Sequence, residues 1–353
     1  MKICFVCDMR LPTKKYGGTE RVVEWLVMEF LKMGHTVVLV APTGTSIQGV
    51  TCIAADSNEE ALLAIPGNVD IVHFHARPPE SDFALPWLYT LHGNAQEISL
   101  LPKNTVFISR NHAERHRGKV VVYNGVNPAE FVFREQKKDY LLFLSLIRRK
   151  DKGAARAIEL ARRYAMPTVF AGGTRLDLLK SGGFFKSFHP MVKFVGKVAG
   201  REKAEYFASA KALLFPINWE EPFGLVLIES LMSGTPVIAT PRGAVPELIT
   251  PDVGATFENL RNAITGNVAG VNESLGGLKS GIKGLEAYSR ALLLSLLEAR
   301  YSAKASRQLR RGRRSQEADE YARHDGRRSE QDESCLGACR DERARLYRYC
   351  FKV

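Results

Sequence analysis

Residues 221–248, E-P-F-G-L-V-L-I-E-S-L-M-S-G-T-P-V-I-A-T-P-R-G-A-V-P-E-L, place two carboxylates, a helix start and a tight turn in one segment. Pro222 and Gly224 suit a loop that turns into a helix near Leu225. The amides of Phe223, Gly224 and Leu225 are then donors without an intrahelical acceptor, and such a helix start favours an anion. Glu229, a turn further on, can accept hydrogen bonds from hydroxyls. Anion donors beside hydroxyl acceptors suit a sugar nucleotide. The competing reading makes Leu225, Leu227, Ile228, Leu231 and Met232 the buried face of an ordinary helix and leaves Glu221 and Glu229 solvated.

Upstream, short apolar runs alternate with helical periods. Residues 3–7 read as a strand and 36–41 (T-V-V-L-V-A) as a buried one. Between them Val22, Val23, Leu26, Val27, Phe30 and Leu31 recur at helical spacing, with Thr19 as the expected cap and Gly34 as the stop. This βαβ unit carries Gly17-Gly18 in the loop at the carboxyl end of its first strand, where open α/β sheets bind ligands. Further strands are expected at 70–74, 86–91, 105–108 and 120–123. His73 reads as a packed strand residue, while His75 and His92 fall at strand ends.

Charged residues 134–139 have a linker's composition, and a second βαβ unit follows: strand 140–146, basic loop 148–153 (R-R-K-D-K-G), helix 154–164 and strand 168–171. Four basic residues beside a helix start suit a diphosphate; a solvated basic loop is the alternative. Strands are also expected at 192–198, 211–216 and 236–240. The organisation is thus α/β with two Rossmann-like domains, 1–135 and 139–300, and an atypical charged tail, 301–353.

The motifs as a set resemble the family 4 retaining glycosyltransferases of GT-B fold, in which two Rossmann-like domains face an interdomain cleft. The resemblance rests on G-G-x-E at 17–20, T-L-H-G at 90–93, Y-N-G-V-N at 123–127, K-G at 152–153, V-K-F-V-G-K-V at 192–198, E-P-F-G-L at 221–225 with Glu229 eight residues after Glu221, S-G-T-P-V-I-A-T at 233–240 and G-A-V-P-E at 243–247. It covers roughly residues 1–250 and implies a first domain for the acceptor and a second for the nucleotide-sugar donor. It implies catalytic roles for His92, beside the transferred sugar, for Glu221 on a donor-sugar hydroxyl and for Lys152 on the leaving diphosphate. Glu229 would bind the ribose, with Gly17, Gly18, Gly196, Phe223, Gly224 and Leu225 completing the donor site. Transfer would proceed with retention, no cofactor beyond the donor, and no metal, since the chain has no D-x-D motif. Rival classes are a GT-B sugar-nucleotide epimerase, a phosphorylase, for which no pyridoxal phosphate site is evident, and a non-catalytic nucleotide-sugar-binding protein. One departure stands out. The family's Gly-Arg before the K-G is Ser145-Leu146 here, so the usual diphosphate arginine is absent, and Arg148 or Arg149 is the candidate replacement.

Composition narrows the setting. The chain has 353 residues, 50 Lys or Arg against 38 Asp or Glu, and a formal charge of +12; residues 301–353 alone hold 14 Lys or Arg and nine Asp or Glu. A basic surface suits phosphorylated donors or peripheral contact with an anionic membrane. Nucleic acid is disfavoured, because the arginines of the tail lack interleaved aromatics. The acceptor, a glycan, lipid or small molecule, is not specified. The apolar runs are too short to cross a bilayer and the start does not read as a signal peptide, so the expected compartment is cytoplasmic. Cys4 and Cys7 fall on opposite strand faces and read as core cysteines, and Cys335-x3-Cys339 has no accompanying histidines. Beyond residue 250 only Thr265-Gly266 resembles the family, residues 285–297 suit an amphipathic helix, and the tail reads as a disordered basic arm, a charged helical extension or an altered reading frame. Replacing Arg148 and Arg149 in turn with Ala and measuring donor affinity tests the substitution idea; no loss at either position excludes it.

Overall fold

The carboxyl ends of two parallel sheets face each other in the computed structural model, which describes residues 1–13, 17–78, 83–250 and 253–256. Thr265-Gly266, the helix expected at 285–297 and the tail with its three cysteines lie outside the described residues. In the first sheet, β1 (Lys2–Val6), β2 (Thr36–Ala41), β3 (Thr51–Ala54), β4 (Ile71–Phe74), β5 (Trp87–Leu91), β6 (Thr105–Phe107) and β7 (Val120–Val121) are ordered 3-2-1-4-5-6-7. In the second, β8 (Leu141–Leu144), β9 (Thr168–Ala171), β10 (Val192–Gly196), β11 (Ala212–Phe215), β12 (Val237–Ala239) and β13 (Gly254–Thr256) are ordered 10-9-8-11-12-13. Ladders such as Phe5↔Leu39 and Phe143↔Phe170 are parallel. The order reverses beside β1 and again beside β8, and these are the points at which open α/β sheets leave a crevice for ligands.

Eight helices among the described residues cover or connect the strands: α1 (Gly18–Lys32), α2 (Asn58–Leu63), α3 (Arg110–Arg115), α4 (Ala154–Arg163), α5 (Leu178–Ser181), α6 (Gly200–Ser209), α7 (Leu225–Met232) and α8 (Val245–Leu248). Both faces of each sheet are buried, which explains strands that read as unbroken apolar runs. Ile3, Phe5 and Cys7 pack with Leu26 and Phe30 of α1, whereas Cys4 and Val6 pack on the opposite face with Val40 and Phe74. The two cysteines thus point to opposite faces, as their spacing requires. In the second sheet Phe143 and Phe170 pack with Ile158 of α4, while Leu142 and Leu213 pack with Phe207 of α6 and Leu227 of α7.

Several elements differ from expectation. Helix α1 starts at Gly18 with Gly17 in the cap position and no side-chain cap, so Thr19 lies inside the first turn. β3 was not expected: it is a half-buried edge strand whose short T-C-I-A run lacks a strong apolar pattern. α2 is capped by Ser57, which accepts from the Glu60 amide, while Glu60 in turn accepts from the Asp56 amide at 2.8 Å. α6 buries mainly Ala204, Ala208 and Phe207, a face too weak in hydropathy to stand out. The linker-like residues are tied to the second sheet's layers, where the Lys137 ammonium donates to Ala208 O, Ser233 O and Thr235 Oγ1 at 2.9–3.0 Å.

Gly153 precedes α4 at a φ of 81°, and a Cβ there would stand 2.0 Å from the Pro216 carbonyl oxygen. This close approach fixes Lys152 against the loop that follows β11. Gly153→Ala should therefore lower stability by about 2 kcal/mol or more, through left-handed strain and backbone collision together. Denaturant unfolding of the variant checks this value.

Candidate functional site

A cleft of about 260 Å³ is lined by carboxyl-end loops of both sheets. From the first come Gly17, Gly18, Thr19 and Arg21 after β1, His92 after β5, Ile108 after β6 and Asn124 after β7. From the second come Leu144, Ser145, Leu146 and Lys152 at and after β8, Val198 and Lys203 after β10, Phe215 at the end of β11, and residues 221–226 with Glu229.

Helix α7 is the hub. Its amino end is set by Gly224, left-handed at φ 91°, where a side chain would press on Leu227. The amides of Gly224, Leu225 and Val226 at its start have no intrahelical acceptor and belong to residues that line the cleft. The helix is apolar on nearly all sides, as a helix buried between layers must be. Leu227 and Leu231 face the second core, and Leu225, Ile228 and Met232 pack against Val22 and Trp25 of α1. A Cβ at Gly18 would stand 3.3 Å from Leu225 Cδ1, so the diglycine lets α1 begin against α7.

Neither glutamate is solvated: Glu221 is 8% exposed and Glu229 is 4% exposed. Glu221 is held at its backbone by the turn before α8, with Ala244 N donating to Glu221 O at 2.8 Å. Its Oε2 accepts from Lys152 Nζ at 2.9 Å and Trp219 Nε1 at 3.0 Å. Lys152 also lies over the Trp219 ring, 4.1 Å from its centroid. Glu229 takes Lys203 Nζ at 3.2 Å on both oxygens and Arg21 Nη2 on Oε1. Burial pulls the Lys203 ammonium below its usual range against the opposing attraction of Glu229.

The structure brings together His92, Lys152, Glu221, Gly17, Gly18, Phe223, Gly224, Leu225 and Glu229. It leaves Arg148, Arg149 and Gly196 outside the cleft lining. Arg149 is ion-paired with Asp151 and stacks on Trp219. Sequence reasoning missed Arg21, Lys203 and Trp219. Trp219, two residues before Glu221, was the most accessible signal; Lys203 depended on recognising α6. In the sequence Asn124 stands out only as part of the Y-N-G-V-N element. It is buried, and its Oδ1 has no hydrogen-bond partner although the residue lines the cleft.

A histidine network supports the wall of the cleft that the first sheet supplies. His75 Nδ1 and His92 Nε2 lie 2.7 Å apart, and His73 Nε2 is 2.8 Å from Thr90 Oγ1, which makes His73 a packed strand residue. His112 Nδ1 accepts from Ile108 N while its Nε2 donates to Gly93 O at 2.9 Å. His116 Nδ1 donates to His112 O at 2.7 Å and its Nε2 accepts from Ala95 N at 3.0 Å. The i, i+4 pair His112 and His116, one on α3 and one capping its carboxyl end, therefore fixes the loop behind His92. Among the described residues, no group of three His, Cys, Asp or Glu side chains is placed to hold a metal ion, and no helix is long and apolar enough to cross a membrane.

Two Rossmann-type parallel sheets joined across a ligand cleft define a GT-B fold. Residues 128–267 match the family described as glycosyl transferases group 1. An uncharacterized glycosyltransferase of Methanocaldococcus jannaschii is 27% identical over 161 residues, 40% of this chain and 41% of that protein. A phosphatidyl-myo-inositol mannosyltransferase of Propionibacterium freudenreichii is 26% identical over 332 residues, covering 78% of this chain and 85% of that one. Among solved structures, AviGT4, a glycosyltransferase involved in avilamycin A biosynthesis, superposes with a TM-score of 0.67 at 23% identity, over 84% of this chain and 98% of that one.

Desolvation pushes His92 down to about 3 and His112 down to about 4 from an ordinary 6.5. The folded values lie below the unfolded one, so the unfolded chain binds more protons as pH falls below about 6.5. Their contribution is complete above that pH and is lost on acidification, by about 1.4 kcal/mol per pH unit for each histidine. Urea unfolding at pH 7.5 and pH 5.5 should show the decline, and His112→Asn should make it shallower, since buried His73, His75 and His92 still contribute. Equal stability at the two pH values overturns the assignment.

Proposed function

We propose that the chain transfers a sugar from a nucleotide-sugar donor to an acceptor hydroxyl, with retention and without a metal ion. The observation that carries this reading is the single cleft in which Glu221, Glu229, Lys152, His92 and the open amino end of α7 converge. A solved GT-B neighbour, Anabaena Alr3699/HepE in complex with UDP-glucose, aligns with a TM-score of 0.53 at 13% identity, which supports a nucleotide sugar as the ligand class.

In this reading Glu229 accepts from ribose hydroxyls and Glu221 from a hydroxyl of the donor sugar. Lys152, already in the cleft, meets charge on the departing diphosphate, where stabilisation lowers the barrier most. The bond from the anomeric carbon to the phosphate oxygen breaks, the acceptor oxygen bonds to that carbon on the same face, and the acceptor proton passes to the departing phosphate. His92, held neutral, offers a hydrogen bond to the sugar rather than a charge. The competing reading, a nucleotide-sugar binder without turnover, is favoured by one observation: Leu146 lines the cleft where an arginine was expected.

A thermal-shift screen of nucleotide sugars should identify a donor by a raised melting temperature, since a ligand specific to the folded state stabilises it. Glu229→Gln should weaken that donor by about 1–3 kcal/mol, the cost of losing a charged hydrogen-bond acceptor. Lys152→Ala should abolish slow donor hydrolysis by the wild-type protein. Absence of any shift across the screen overturns the proposed function. A shift without hydrolysis or transfer selects the binder.

A further inference from the structure

We infer that Arg21 and Lys203, now engaged with Glu229, are the cations that grip the donor diphosphate in place of the absent family arginine. The inference rests on the donor site proposed above and identifies the residues that complete it. Its starting point is hydrogen-bond capacity. A carboxylate has about four acceptor positions. Glu229 already spends three, one on Arg21 and two on Lys203. Two ribose hydroxyls need two, so at least one cation must leave Glu229 when a donor binds.

The released charge has a destination. Arg21, Lys203 and Lys152 line the same cleft as Ser145 and Leu146, the pair that stands where Gly-Arg was expected. Leu146 brings no charge there. Arg149 is committed to Asp151 and Trp219 and does not line the cleft. Burial disfavours a Lys203 ammonium left without an anion, and Arg21 Nε is itself buried without a hydrogen-bond partner. A diphosphate supplies both with oxygen acceptors, and a guanidinium can meet it with paired donors. Because Arg21 lies on α1 and Glu229 on α7, this exchange would move an interdomain ion pair onto the ligand.

Isothermal titration of the full chain with inorganic pyrophosphate, with UDP, GDP and ADP, and with their nucleosides tests the inference. Arg21→Gln and Lys203→Gln should each weaken pyrophosphate and the bound nucleoside diphosphate about tenfold or more. Arg21→Lys should recover most of that loss, and the matching nucleoside should bind as well as before or better, because Glu229 is relieved. The Arg21 side chain is 19% exposed against 11% for Lys203, and Arg21→Gln keeps the test valid if Lys203→Gln fails to fold. Diphosphate affinity within twofold of wild type in folded variants overturns the inference and leaves the donor reading standing. Nucleoside affinity falling in step with diphosphate also overturns it, since the cations would then act only by holding Glu229. Pyrophosphate binding without any nucleotide binding removes the donor reading and the inference with it, and binding of neither does the same.

Discussion

Two carboxylates buried between the facing ends of two sheets are the constraint around which this molecule is arranged. An ionised group taken out of water is costly unless it is paired, and removing one partner of a buried pair typically costs about 3–5 kcal/mol. Glu221 meets that requirement within its own half, through Lys152 and the Trp219 indole. Glu229 meets it partly through Arg21, from the other half. The junction is thereby stabilised by the same charges that face the cleft, and the apolar contact of Leu225, Ile228 and Met232 with Val22 and Trp25 keeps them at a fixed separation.

The fold was legible where burial on both sheet faces writes continuous apolar runs. Strands β2 and β9 coincide with the runs T-V-V-L-V-A and T-V-F-A because both lie inside their sheets. Legibility failed at edges and under small side chains. β3 pairs on one side only, so its residues are half solvated, and α6 buries alanines that give little hydropathic contrast. The start of α1 differs because a threonine is the commoner cap, whereas the cap here is Gly17, where a Cβ would press on the Glu20 carboxylate, and Leu225 packs close to Gly18 in the first turn.

The site was legible where the chemistry demands a residue type in a local pattern. Glu221, Glu229, Phe223, Gly224 and Leu225 occupy one short segment, so their spacing alone places them together. Lys203 and Arg21 are separated from Glu229 by 26 and 208 residues. No local spacing encodes such partners; they follow only from which loops the two strand orders bring to one crevice. Arg149 shows the converse, since sequence proximity to Lys152 suggested a role, but an aspartate two residues away and the Trp219 ring engage its guanidinium.

Glu247 gives the junction a second meaning. Its carboxylate accepts from the amides of Arg110 at 3.0 Å and Asn111 at 3.1 Å, the first turn of α3, and from the Tyr123 hydroxyl at 2.8 Å. Helix α3 also carries the histidines that set the loop behind His92, so a helix end in one half is completed by an anion from the other. The His92 side of the cleft is in this sense a composite part, and a shift in the second half's GAVPE turn would be felt at His92 through α3.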